Sequence, residues 1–283
     1  MYTTEASMSD VSENKARNNL KELTFNQAIY KEYEHGIYYC TTYTPARCSP
    51  KSLTIDGKVY TRFLDFIYMP CETHELTNEQ CIAVNDIRNI YFETHKDMLI
   101  NRKVKQHIAT LINQLCANKN MTLLEYGCGY QTIHGLLSVN TSYIGTDINH
   151  KVVIKNKKTD PTGRFFIMDK ENIPINNGTI DFIVSIFVFH FNVTIQQLSQ
   201  LFNMLSDNGV MVFNLYLLPK NQRQALFLKI EKIGFFYHRE MDIDELCQNH
   251  EYCFLARSPN ALLFKQAVTL FKTNHNGMIS KSS

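Results

Sequence analysis

Apolar and polar positions along the chain fall into two textures, and the change comes near residue 121. Beyond it, short apolar runs alternate with stretches whose apolar positions recur every three or four residues. Five runs predict strands: Thr122–Tyr126, Ser142–Thr146, Arg164–Met168, Asp181–Ile186 and Gly209–Asn214. Weaker runs at Phe235–Arg239 and Tyr252–Ala256 add two more, and helical spacing over Ile195–Leu205 and Gln222–Ile233 falls between strands. Near-continuous apolar strands suit a sheet covered on both faces. Strand–helix alternation implies parallel strands joined by right-handed crossovers. The expected fold class is therefore α/β: a doubly wound, mostly parallel seven-stranded sheet. Its ligand should sit beyond the carboxyl ends of the strands, where the strand order reverses.

Upstream the pattern is different. Thr77 is a good helix N-cap, with Glu79 and Gln80 in the next turn and apolar residues at Ile82, Val84, Ile87, Ile90 and Tyr91. A second helix is predicted from Met98, Ile100, Val104, Ile108, Leu111, Ile112 and Leu115. Before these, residues 21–76 mix turns with short β-like runs at Gly36–Cys40 and Lys58–Phe63, and Asp56-Gly57 is a hairpin-turn signal. Residues 1–20 are polar and read as a flexible tail. The expected organisation is this tail, a mainly helical N-terminal cap or lid and substrate region over 21–95, the main α/β domain over 96–258, and a C-terminal helix and tail over 259–283.

Composition narrows the function classes. The 283 residues carry a net charge of +2, whereas a large nucleic-acid footprint normally brings a strong basic excess. Lys151, Lys155, Lys157 and Lys158 flank a predicted helix and read as a solvated face. None of the eight cysteines has the CxxC spacing of a zinc or redox motif, so no metal is expected. The first twenty residues lack the apolar stretch of a secretory signal, and no apolar run is long enough to span a bilayer. The expectation is a reduced, cytoplasmic protein with no membrane partner.

Candidate chemistry begins at Glu125-Tyr126-Gly127-Cys128-Gly129, where the first strand of the main domain should end. Glycines there let the backbone turn sharply and let a ligand approach it. Taken alone, the pattern reads as a plain strand-to-helix turn about as readily. Thr132 stands where a dinucleotide fingerprint needs a third glycine, which argues against a nicotinamide oxidoreductase. Tyr143-Ile144-Gly145-Thr146-Asp147 puts a carboxylate at the next strand end, 20 residues after Gly127, where it can accept both ribose hydroxyls of an adenosine. Phe165-Phe166-Ile167-Met168-Asp169, followed by Ile173-Pro174, puts another after the third strand. Gly178-Thr179-Ile180-Asp181-Phe182-Ile183-Val184-Ser185 and Leu205-Ser206-Asp207-Asn208-Gly209-Val210-Met211-Val212-Phe213 complete the series.

In this order, the elements resemble the class I S-adenosylmethionine (SAM)-dependent methyltransferase superfamily, most closely its small-molecule branch, over about Met98 to Ala256. The resemblance implies a Rossmann-like domain with SAM as cofactor. It implies that Gly127, Cys128 and Gly129 pack under the methionine and ribose, and that Glu125 holds the methionine ammonium. Asp147 would take the ribose hydroxyls, Ile148 would pack on adenine, and Asp169 would accept the adenine amino group beside the Lys170 backbone. Ser185 and Ile186 would face the methionine, while Asp181 would be structural. Two departures stand out. Gln131 replaces a glycine or small residue common in the family, and Asn208-Gly209 replaces paired glycines.

The acceptor side is more open. His190, in Phe187-Val188-Phe189-His190-Phe191, is the base candidate, set against substrate contact or packing. Tyr91, His95, Arg102, Tyr130, Phe187, Phe189 and Tyr216 are candidates for the acceptor pocket. The position after the fourth strand lacks the Asp/Asn-Pro-Pro-aromatic run of base amino-methylation and the cysteine of cytosine C5 chemistry, and no double-glutamate loop marks protein-arginine methylation. A small-molecule acceptor attacking through O, N or C is favoured. A nucleic-acid methyltransferase and a non-catalytic SAM-binding regulator remain the alternatives.

Overall fold

Six short strands open the chain: β1 (Glu22–Phe25), β2 (Ala28–Glu32), β3 (Tyr38–Cys40), β4 (Ser52–Ile55), β5 (Lys58–Phe63) and β6 (Ile67–Met69). They pair antiparallel throughout, in the order β1-β2-β3-β6-β5-β4. The hairpin between β4 and β5 turns on Asp56 (φ 50°) and Gly57 (φ 75°), the two positive φ angles that a tight hairpin turn requires. Tyr30 and Tyr68 meet edge-on, 5.4 Å between ring centres, and the Tyr68 hydroxyl donates to the Pro50 carbonyl at 2.9 Å. Helix α1 (Asn78–Ile90) buries Ala83, Val84 and Ile87.

This region corrects the expected mainly helical cap over 21–95, because a six-stranded sheet supplies most of its regular structure. The reason is one of length. Strands β1, β4 and β6 have only three or four residues each, too few to display an alternation of period two, whereas the 13 residues of α1 display theirs fully.

The computed structural model describes residues 22–25, 28–42, 49–90, 96–117, 120–138, 141–168, 175–216, 218–247 and 249–279, with the backbone alone at 22, 23, 25, 96–98 and 275–279. The chain forms two units, residues 1–72 with 79–91, and residues 73–78 with 92–283. No helix among the described residues is long and apolar enough to cross a membrane.

The second unit begins with α2 (Lys96–Cys116) and builds on seven strands: β7 (Met121–Tyr126), β8 (Thr141–Asp147), β9 (Arg164–Ile167), β10 (Ile180–Ser185), β11 (Leu205–Tyr216), β12 (Phe236–Met241) and β13 (His250–Ala256). Helices α3 (His150–Thr159), α4 (Ile195–Met204), α5 (Lys220–Ile233) and α6 (Leu262–Ile279) complete it. The sheet order is β12-β13-β11-β10-β7-β8-β9. Its five central and outer strands from β11 to β9 are parallel, while β13 runs antiparallel to both β11 and β12. This is the mixed α/β, doubly wound architecture expected from the sequence.

Strand-end chemistry explains the local geometry. Thr194 and Gln197 cap α4 reciprocally, Asn149 caps α3 by accepting from the Lys151 amide, and Gly234 ends α5 at φ 100°. Asp181 accepts from the Thr122 amide (3.0 Å) and the Ser206 hydroxyl (3.3 Å), so it ties three neighbouring strands together. Apolar clusters lie on both faces. One gathers Val104, Ile108, Leu123, Val184, Phe254 and Phe271, and the other Leu124, Ile183, Leu198, Phe213, Phe227 and Leu255. The order reverses at β7, flanked by β8 and β10, so the crevice falls at the carboxyl end of β7.

Candidate active site

The backbone leaves β7 through Gly127 (φ 74°) and Gly129 (φ 63°). Their amide neighbours are pinned to the adjacent strand, since the Gly127 and Cys128 amides both donate to the Thr146 carbonyl, at 2.8 and 2.9 Å. A Cβ on Gly127 would overlap the Cγ2 methyl of Val188, from the segment after β10. Above Gly129 the space is open, with no heavy atom within 4 Å of where a Cβ would stand. The loop is thus a glycine cradle, closed beneath and open above.

Two buried carboxylates hold it. Asp147, 5% exposed at the end of β8, accepts the Gly129 amide and the Asn149 amide, each at 2.9 Å. Burial pushes its carboxyl up to about 6, against the pull of those two amides. Glu125, 1% exposed, is engaged more heavily. Its Oε1 accepts from the Lys105 ammonium at 3.1 Å, and its Oε2 from the Ile133 amide (2.8 Å) and the Tyr143 hydroxyl (2.5 Å). Lys105 comes from α2, is itself buried, and also donates to the carbonyls of Cys128 and Gln131. A glutamate that one cation and two donors already grip inside the protein is an anchor for the loop. The sequence had offered it as a ligand for an ammonium.

Asn156 of α3 completes the underside, donating to the Gly129 carbonyl at 2.8 Å and lying 3.6 Å from Cys128 Sγ. The Cys128 side chain is fully buried, and burial pushes its thiol well up, with the Asp147 and Glu125 charges adding to the effect. It packs and does not react.

Around the end of β10 the site changes character. Ser185 is buried and its hydroxyl donates to the Tyr126 carbonyl at 2.9 Å, and Ile186 is buried beside it. Phe187 adopts a left-handed backbone (φ 59°), and its amide donates to Asn214 Oδ1 at 2.7 Å. Asn214 in turn lies 3.3 Å from His250 Nδ1. His190 Nε2 lies 2.8 Å from the Tyr216 amide and 2.9 Å from the Tyr216 carbonyl, so the backbone of β11 fixes that ring nitrogen in either tautomer. Tyr216 stacks on His250 with 4.3 Å between centres, and Phe187 meets the same histidine edge-on. Phe189 turns inward and stacks on Phe213 at 4.2 Å, as a core residue.

The remaining candidates scatter. Ile148 is half-buried beside Asp147, and Tyr130 is half-buried with the Lys155 ammonium 4.9 Å from its ring centre. Arg102 lies exposed on α2. Tyr91, His95, Asp169 and Lys170 fall outside the described residues. The sequence reading did not single out Lys105, Tyr143, Asn156, Asn214 or His250.

A family model described as a methyltransferase domain matches residues 100–253, from α2 to β13. The chain belongs to the methyltransferase-domain family. This methyltransferase uses SAM as its cofactor and is an enzyme of the class I superfamily that the motifs resemble. No curated protein matches it by sequence. Among solved structures it is similar to a TehB-like SAM-dependent methyltransferase from Corynebacterium glutamicum (17% identity, 54% of this chain and 88% of that one, TM-score 0.43). It is similar also to a SAM-dependent methyltransferase from Aquifex aeolicus (15% identity, 52% and 87%, TM-score 0.43). A third is the CMeT domain of a citrinin polyketide synthase (12% identity, 64% and 57%, TM-score 0.48), of whose chain the methyltransferase spans less than two thirds.

The residues present fit the cofactor. A carboxylate offers about four acceptor positions, and two backbone amides occupy only part of the capacity of Asp147. The cradle opens above Gly129, and Ile148 offers an apolar surface beside the carboxylate. SAM supplies the electrophilic methyl on a sulfonium, so the methyltransferase itself has mainly to orient the partners and exclude water.

Proposed function

We propose that this methyltransferase transfers the methyl group of SAM to a small-molecule acceptor bound beside the segment after β10. Asp147 and Ile148 bind the adenosine, the Gly127–Gly129 cradle carries the rest of the cofactor, and the backbone at Ser185 and Ile186 borders the methionine. Glu125 acts one layer below, holding the cradle through Lys105, Ile133 and Tyr143.

The observation that carries the acceptor class is a cleft of about 190 Å³ lined by His74, Phe189, His190, Asn192, Leu218 and Gln222. Its lining begins at Phe189, directly after Val188, whose methyl packs on Gly127, so cleft and cradle are joined by one short segment. An apolar cavity of about 150 Å³ accepts a benzene-sized molecule. The cleft therefore suits a metabolite or part of one, and its mixture of aromatic walls and amide groups suits an acceptor with a polar end. With Nε2 held by the Tyr216 backbone, His190 shapes this wall, and the acceptor's proton leaves to solvent or to a group the acceptor brings.

The test is transfer of label. Purified enzyme is incubated with methyl-labelled SAM and a whole metabolite extract, in parallel with RNA, DNA and protein fractions. Label entering the low-molecular-weight fraction supports the proposal. Label entering only one of the polymers overturns it.

A further inference from the structure

We propose that His107, Asp242 and Cys247 form a binding site for a borderline divalent transition cation, Zn²⁺ by the chemistry of the donors, apart from the cofactor cradle. The three side chains come from separate elements: His107 from α2, Asp242 from the segment after β12, and Cys247 from a short 3-10 turn, Glu245–Cys247. One donor atom from each lies within 4.8 Å of the other two. Asp242 is 6% exposed and Cys247 not at all, and the His107 side chain is 8% exposed.

The geometry is close to what a tetrahedral centre needs. Bond lengths of about 2.0–2.3 Å to N, O and S place neighbouring donor atoms about 3.3–3.8 Å apart. His107 Nδ1 and Asp242 Oδ2 are already 3.2 Å apart. The sulfur lies within 4.8 Å of both, at most about an ångström beyond the spacing of a bound centre. One imidazole, one carboxylate and one thiolate make a donor set that selects Zn²⁺ over Mg²⁺ or Ca²⁺, which prefer oxygen alone. Three protein ligands leave the fourth position for water.

An outer shell stands in place as well. The Tyr252 hydroxyl donates to Asp242 Oδ2 at 2.8 Å, and the Asp244 amide donates to Oδ1 at 2.9 Å, so the carboxylate is oriented from two sides. His107 Nε2 faces Asp244 Oδ2 at 3.8 Å, and Asp244 is paired with Lys103 at 3.0 Å. A histidine that ligates through one nitrogen and turns its other N–H toward a carboxylate is the usual orientation at zinc centres. Coordination converts the Cys247 thiol to thiolate, the sulfur giving its electron pair to the metal and its proton to solvent.

No sequence signal announces such a site, because its ligands lie 135 and 5 residues apart and form no spaced motif. Its position follows from the fold alone. α2 carries Lys105 to the cradle and, two residues on, His107 to the β12–β13 end, so a bound cation would clamp that helix between them.

The test uses the untagged full-length chain, freed of metal by chelation and titrated with Co²⁺. The expected result is one equivalent bound, visible d–d absorption of a four-coordinate centre and a near-ultraviolet thiolate-to-cobalt band, all displaced by Zn²⁺. Cys247→Ser should abolish the thiolate band, and His107→Gln should weaken Co²⁺ at least tenfold, while SAM affinity in both stays within twofold. Absence of the thiolate band in the unmutated protein overturns the proposal, and so does a band that survives Cys247→Ser. Should Cys247→Ser fail to fold, the unmutated titration and His107→Gln decide: a thiolate band that His107→Gln leaves at full affinity also overturns it.

Discussion

The cofactor cradle and the acceptor edge lie on the same rim of one sheet, yet they are built from opposite materials. The cradle rests on buried charge: Lys105, Glu125 and Asp147 are all under a tenth exposed and are tied to each other or to backbone amides. The proposed acceptor edge rests on packed rings and one amide, with Phe187, His190, Tyr216 and His250 packed around Asn214. A sulfonium cofactor with a diol and an amino-acid end needs fixed polar partners. Such partners are costly to bury, so each is already tied to a protein partner before the ligand arrives. An acceptor edge shaped by rings is cheaper to vary, since a changed ring alters shape without stranding a charge. The contrast predicts that stability and pH dependence should concentrate on the cradle, and acceptor choice on the edge.

The largest effect should come from breaking the buried ion pair. Lys105→Met leaves the Glu125 carboxylate in the interior with no cation and should cost about 3–5 kcal/mol in unfolding free energy. The double variant Lys105→Met, Glu125→Gln should recover much of that loss. Denaturant unfolding of the two measures the difference. A single variant as stable as the parent would mean that the cradle does not depend on charge, and the comparison would fail at its first point.

Asn214 gives the matching disruption at the edge. Its side chain is fully buried and takes the amide of Phe187, a residue held at φ 59°. Asn214→Ala orphans that amide and should cost about 1–3 kcal/mol. Thermal or chemical unfolding at pH 8 measures that loss.

These two residues also mark where sequence reading stops. Most strands of the second unit were legible as apolar runs, with β12 (Phe236–Met241) only weakly so because polar residues interrupt it, and Gly127, Gly129 and Asp147 were legible because turns and strand ends restrict residue choice. Lys105 was not. It sits between Val104 and Ile108 in a helical pattern where a lysine ordinarily reads as solvent-facing, and its partner is 20 residues away on a strand. Asn214 ends an apolar run and looks like a strand terminus, and only the packing of β13 beside β11 discloses what it bonds. The short strands of the first unit were partly legible, β3 within the Gly36–Cys40 run and the β4–β5 hairpin through its Asp-Gly turn and the Lys58–Phe63 run, whereas β6, three residues long, gave no signal of its own.

Asp147 sharpens the contrast through ligand binding. Asp147→Ala removes the proposed acceptor for both ribose hydroxyls and should weaken SAM at least tenfold, about 1.4 kcal/mol, by calorimetric titration. pH adds a second handle. Burial raises this carboxyl to about 6, so the folded protein favours its neutral form. Its contribution to stability is therefore present below the ordinary carboxylate range and is lost as pH rises through about 6. SAM, which needs the ionised acceptor, should follow the opposite slope, binding progressively more tightly from pH 5 to pH 7. Asp147→Asn should flatten that profile. A profile that stays steep in Asp147→Asn would assign the titration to another group.

The smallest expected effect on the cofactor is the most telling about the edge. His190 carries Nε2 on the Tyr216 backbone and lines the cleft, on the far side of Val188 from Gly127 in sequence. His190→Gln keeps a side chain of similar reach that can accept the Tyr216 amide through its carbonyl oxygen, so SAM affinity should stay within twofold. Methyl transfer to the acceptor should survive with an altered KM and a pH profile like the parent's, because a shaping residue changes how the acceptor seats and leaves the proton transfer alone. General-base catalysis is typically worth about 10²–10⁴ in rate. A fall of that size in kcat, together with loss of the acidic limb of the pH profile, would make His190 the base. The edge would then hold a reacting group of its own, and the division between a cradle of buried charge and a rim of packed rings would have to be redrawn.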